Sequence, residues 1–86
     1  MRIIFTEKAL AAYTAWHISN KKMVRWINAL IVSIERDGFT FGRGKPEVVK
    51  GRRAYSRRID NDNRLVYTDD GYGNLIITSC KGKYYE

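Results

Sequence analysis

The chain has 86 residues, 44% of them hydrophobic and 13% aromatic. That is too short for two independently packed domains and too apolar for a disordered segment, so one domain over residues 1–86 is expected. A single cysteine, Cys80, and a single histidine, His17, exclude an intrachain disulfide, a cysteine-cluster zinc site and a two-histidine metal site.

No apolar run approaches the roughly 20 residues that cross a bilayer. The N-terminal apolar stretch stops at Thr6-Glu7, so neither a signal peptide nor a membrane partner is expected, and the default location is the reduced cytoplasm. Residues 2–5 read as a short strand. Thr6 is placed to cap a helix, with Glu7 in the first turn where the helix dipole favours an acid. Ala9, Leu10, Tyr13 and Trp16 recur at helical spacing and predict a first helix over about residues 7–18. Asn20 caps a second, whose Met23, Val24, Ile27, Leu30, Ile31 and Ile34 form one stripe ending near Asp37-Gly38. Residues 38–46, with three glycines and the only proline, form a connection. The period then changes to two. Val48 to Lys50, Ala54 to Ile59, Arg64 to Thr68 and Leu75 to Lys81 are strand candidates, separated by the Asp/Asn/Gly turns 60–63 and 69–74. The expected fold is α+β: two N-terminal helices packed on a C-terminal antiparallel sheet, with the first strand joining one edge.

The net charge of +7 is concentrated. Arg43, Lys45, Lys50, Arg52, Arg53, Arg57 and Arg58 face only Glu47 within residues 43–58, a local charge of +6. Such a segment is the footprint of a polyanion binder; a solubilising surface or a patch for an acidic protein gives the same signal. Gly42-Arg43-Gly44-Lys45 resembles a phosphate loop, but Pro46 leads to a strand rather than a helix, so it reads as a flexible basic connection. Cys80 reads as a small core residue, Trp16 as core, Trp26 as an edge cover or partner contact, and His17 as helix surface. Glu47, flanked by Lys45 and Lys50, suits either a proton acceptor beside a bound phosphate or a local ion pair. Arg58 and Arg64 flank one turn; if the loop count is odd, or the loop contains a bulge, they sit opposite each other on one face and can grip one phosphate with two guanidinium forks, and otherwise they are two independent solvated arginines. The tail Lys81-Gly82-Lys83-Tyr84-Tyr85 offers charge and stacking rings, or simply a docked aromatic end.

These pieces occur in a telling order: Gly44-Lys45-Pro46-Glu47-x-x-Lys50, Ser56-Arg57-Arg58-Ile59, Asn63-Arg64-Leu65-Val66-Tyr67 and Lys81-Gly82-Lys83-Tyr84. With Tyr13, Trp16, Ile27-Asn28-x-Leu30-Ile31 and Phe39, they resemble the YoeB/Txe family of toxins within the RelE-like group. The resemblance implies a microbial-ribonuclease-like fold and an endoribonuclease that acts on mRNA in the ribosomal A site. It implies no metal or cofactor, and silencing by a co-expressed acidic antitoxin of the YefM type. It places Glu47 as base, Arg58 and Arg64 at the phosphate, and Tyr84 near the substrate. Arg43, Lys45, Lys50, Arg52, Arg53, Arg57 and Lys81 become RNA contacts.

Two positions depart from the family pattern. Lys83 stands where the family has histidine, and histidine's ordinary pKa of about 6.5 suits proton donation better than lysine's of about 10.4. The segment between Lys50 and Ser56 is shorter by about two residues and carries Arg52 and Arg53. Active, weakened and inactive toxins all fit the lysine. A gyrase-binding inhibitor of the ParE type and a general RNA-binding module are the competing functions, and homodimerisation is left open.

Overall fold

The computed structural model describes residues 1–83. Its elements in order are β1 (Ile3–Phe5), α1 (Glu7–Ser19), α2 (Lys21–Asp37), β2 (Glu47–Val48), β3 (Tyr55–Arg58), β4 (Arg64–Asp69) and β5 (Leu75–Ser79). The helix boundaries follow from their caps. Thr6 Oγ1 accepts the Ala9 N–H at 3.2 Å. Asn20 serves both helices: its N–H donates to Trp16 O at the end of α1, and its side chain accepts the Lys22 N–H at the start of α2. Gly38, at φ 94°, ends α2 with its N–H on Ile34 O.

The two helices bury their sequence unequally. α2 places Met23, Val24, Ile27, Leu30, Ile31 and Ile34 in the interior, as its stripe requires. α1 buries only Ala9 fully; Ala12, Tyr13 and Trp16 pack half-buried against the core. Leu10, expected on the apolar face, is 51% exposed because it sits one position off the 9-12-16 line. Trp16 is a rim residue rather than core, and its indole N–H donates to Cys80 O at 3.0 Å.

The sheet order is β1-β5-β4-β3-β2. β2 to β5 pair antiparallel, while β1 lies parallel to β5 at the edge, making the sheet mixed. Leu65, Tyr67, Leu75 and Ile77 face the helices and join α2 in one core with Ile59 and Cys80. The opposite face carries no helix. The turn after β2 folds back towards it, with Thr68 Oγ1 donating to Arg53 O at 2.7 Å, and Val49 and Val66 are buried.

Candidate active site

Register decides which charged residues meet. Glu47 pairs with Ser56, Ser56 with Val66, and Arg58 with Arg64. Directly paired residues point to the same side of a sheet, as do residues two apart on one strand. Glu47, Ser56, Arg58, Arg64 and Val66 therefore share the helix-free face. Arg58 and Arg64 stand directly opposite each other, and Glu47 is diagonal to Arg58, a relation that spans about 7–8 Å. The Ile59 N–H donates to Asn63 O at 3.0 Å, so the closed loop is residues 60–62, an odd count, which is what the facing pair required. Arg64 is half-buried, and its Nη1 donates to Asp60 O at 2.9 Å and Asn63 O at 3.3 Å, holding the guanidinium over its own turn.

The chain beyond β5 completes this face. Asp60 Oδ1 accepts the Asp62 and Asn63 N–H groups at 2.8 Å and Asn63 Nδ2 at 3.0 Å. Asn63, so oriented, accepts the Gly82 N–H on its Oδ1 at 2.9 Å. The Arg64 N–H returns to Gly82 O at 2.9 Å. Lys83 therefore follows a residue pinned beside Arg64. On the sheet's scale of about 4.8 Å per strand, the arginine pair lies between the Glu47 strand on one side and the tail on the other. Further back, Cys80 Sγ contacts Ala9 O at 3.6 Å, and Lys81 Nζ sits 5.9 Å from the centre of the Trp16 ring. Burial pushes the Cys80 thiol up to about 11, so at neutral pH it is a packed thiol and not a nucleophile. Tyr84 lies outside the described residues.

Beside the tail is a cleft of about 250 Å³ that includes Lys8, Arg52, Lys81, Lys83, Thr78 and Ser79 in its wall. Four cations and two hydroxyls, with no carboxylate among the lining residues, give this cleft a chemistry suited to a polyanion. Lys8 was not legible as a member. It lies in the first turn of α1, 44 positions before Arg52 in sequence, and only the docking of α1 brings it here. Arg53 lines a different cavity, with Val48, Tyr55 and Asp69. Arg43, Lys45 and Lys50 are exposed on the segments flanking β2.

Arg57 is a correction. Expected to contact RNA, it is 0% exposed and faces the helices. All five guanidinium N–H donors are taken: Nε by Tyr67 OH at 2.8 Å, Nη1 by Ser33 Oγ at 2.9 Å and Arg43 O at 3.0 Å, Nη2 by Gly38 O at 2.7 Å and Phe41 O at 2.6 Å. Being paired to Leu65 places it on the opposite side of β3 from Arg58. The Ser33 hydroxyl donates to Asp37 Oδ2, and Tyr67 OH donates to Phe39 O. Hydrogen bonds from Arg36 and then from Ser33 hold the Asp37 carboxyl below the usual range. The Gly42–Lys45 segment is therefore pinned rather than a flexible connection. Gly42 and Gly44 have φ of 109° and 83°, and a Cβ on Gly44 would come within 2.7 Å of Leu30 Cδ2.

Among the described residues no helix is long and apolar enough to cross a membrane. Residues 5–84 match the family model of the YoeB-like toxin of bacterial type II toxin-antitoxin systems. Toxin YoeB of Streptomyces coelicolor is 44% identical over 88 residues, covering 98% of this chain and 100% of the relative. Among solved structures, the YoeB dimer from Staphylococcus aureus superposes with a TM-score of 0.91 at 43% identity, covering 98% of each chain. The toxin in the heterotetrameric YoeB-YefM complex from Staphylococcus aureus gives 0.87 at 44% identity, again over 98% of each chain. The architecture expected from the sequence, a RelE-like α+β fold, is thus the one observed, with its edge strand parallel. The order of motifs along the chain, the fold they build and the similarity along nearly the whole length agree, and the chain belongs to the YoeB-like toxin family of bacterial type II toxin–antitoxin systems.

Proposed function

We propose that this toxin is an endoribonuclease that cleaves mRNA in the ribosomal A site and so stops translation in the cytoplasm. The observation that carries the reading is the facing Arg58–Arg64 pair, set between Glu47 and the tail bearing Lys83 on one open face. In this reading the Glu47 carboxylate takes the proton of a ribose 2′-hydroxyl, and O2′ attacks the adjacent phosphorus. Arg58 and Arg64 stabilise the charge that builds on the phosphoryl oxygens. The P–O5′ bond breaks, leaving a 2′,3′-cyclic phosphate, and the Lys83 ammonium protonates or electrostatically holds the departing O5′. Base and leaving-group partner on opposite sides of the phosphate suit an in-line displacement. Every role falls to a side chain, so the reading calls on no metal or cofactor. Tyr84 contacts the substrate next to Lys83. Arg43, Lys45, Lys50, Arg52, Arg53 and Lys81, joined by Lys8, hold the RNA backbone.

The partners in this reading are the mRNA on the small subunit and an acidic antitoxin of the YefM type, as in the Staphylococcus aureus complex. A homodimer, the state named for another Staphylococcus aureus relative, is part of the reading. Lysine at position 83 supports a second reading, a toxin with weakened turnover.

Programmed ribosomes with cleavage mapped by primer extension test both. Glu47→Ala and Arg64→Ala should each slow single-turnover cleavage by about 10²–10⁴-fold with the fold intact. Lys83→Ala should reduce it, and Lys83→His should preserve or raise it. A Glu47→Ala variant that cuts at the parental rate removes Glu47 from the base role. A slow parent accelerated by Lys83→His establishes the weakened toxin, and an inert parent switched on by it establishes a binding-competent toxin without turnover.

A further inference from the structure

Trp26 lies off the buried stripe of α2 and is 45% exposed. It borders a cavity of about 240 Å³ between α2 and the later part of the connection to β2, together with Leu30, Arg43, Gly44, Arg58 and Ile59. We infer that this cavity is a nucleobase pocket, in which the base next to the phosphate held by Arg58 and Arg64 stacks on the Trp26 indole. The assignment deepens the endoribonuclease reading by naming how the RNA is held beside the scissile linkage.

Four observations support it. First, Arg58 is shared: it belongs to the facing arginine pair on the open face and to the wall of this cavity. In this proposal the base next to a phosphate held by that pair lies at this cavity. Second, the wall chemistry suits a base. The partly exposed Trp26 indole offers a stacking plane, Arg43 and Arg58 are among the bordering residues, and no carboxylate is. Third, the cavity is rigidly built. The Arg43 N–H donates to Ser33 Oγ at 3.0 Å, and its carbonyl accepts Arg57 Nη1 at 3.0 Å. The Gly44 carbonyl accepts the Arg58 N–H at 2.7 Å. The backbone beneath both arginines is thus fixed before any ligand arrives, which lowers the ordering cost of binding. Fourth, the space fits one planar group rather than a docked helix, which would need a groove running along α2.

The test uses the full chain and a short single-stranded RNA with a 2′-O-methyl group at the scissile position, so that it binds without being cut. Fluorescence anisotropy at low salt gives the dissociation constant. Trp26→Ala should weaken binding by about 5- to 150-fold, and Trp26→Phe should restore most of the loss. Repeating the series with an abasic nucleotide beside the blocked linkage should abolish the difference between parent and Trp26→Ala. Because Trp26 is a surface residue, circular dichroism should show both variants folded.

Equal affinities of parent and Trp26→Ala for the intact RNA would overturn the pocket. So would a Trp26 effect that persists on the abasic RNA, or a parent that does not bind the RNA at all. Trp26→Ala losing affinity for the antitoxin while keeping it for RNA would reassign the cavity to a peptide. Failure of the nuclease reading looks different: the parent binds with the expected Trp26 and abasic dependence but leaves ordinary mRNA uncut on programmed ribosomes.

Discussion

Arg57 and Arg58 are neighbours in the chain with opposite fates. Strand alternation sends Arg58 to the open face and Arg57 into the interior beneath residues 38–43. A buried guanidinium is tolerable because five N–H donors match five acceptors arranged around it, and four of those bonds hold the connection or the end of α2 in place. Arg57→Lys should therefore not substitute: an ammonium has three donors in a different geometry and leaves acceptors unpaired. The expected cost is about 3–5 kcal/mol in urea denaturation, the range for breaking a buried charged network. A loss below about 1 kcal/mol would mean that the network contributes little and that Arg57 is free for another role.

At the scale of elements, the site depends on two segments that are neither helix nor strand. The connection 38–46 sets the edge beside β3, since Gly44 O accepts the Arg58 N–H. The tail is held from three directions: Ala9 at the Cys80 thiol, Trp16 at the Cys80 carbonyl, and Asn63 with Arg64 at Gly82. Asn63 is a positioning residue in this arrangement. Asn63→Ala should cost about 1–2 kcal/mol of stability. It should also lower the cleavage rate by about 10- to 100-fold, the effect expected of a catalytic group displaced by about 1 Å. A double-mutant cycle separates positioning from mere stability. If Asn63 acts through the tail, its effect should largely vanish in a Lys83→Ala background, whereas full additivity would sever the link.

At the scale of the whole molecule, the sheet divides the labour. One face packs against α2 and α1; the other is left open and carries the cationic residues beside Glu47. A net charge of +7 on so small a body creates a field that attracts polyanions of any kind. Stopped-flow association with the antitoxin should slow by roughly tenfold or more between low and high ionic strength, with dissociation changing much less. An association rate indifferent to salt would argue that the antitoxin is captured by apolar contacts instead.

Much of this was legible in the chain. The caps Thr6, Asn20 and Gly38, the stripe of α2 and the period-two strands are local signals, set by hydrogen-bond geometry and side-chain periodicity within a few residues. The facing of Arg58 and Arg64 was conditional on the loop count, which only the closed turn fixed. Other features came only with tertiary structure, because they join residues distant in sequence. β1 pairs parallel to β5 across 72 positions, and nothing local to Ile3–Phe5 states a direction. Lys8 joins the cationic cleft, Asn63 meets Gly82, and Trp26 comes beside Arg43 and Arg58. Arg57 shows the difference most plainly. By sequence it is one more cation in a basic run, and composition cannot tell a charge that meets solvent from one that meets five inward-facing acceptors. That choice rests on strand register and on the path of residues 38–43 over β3, which exist only once the helices and the sheet have packed together.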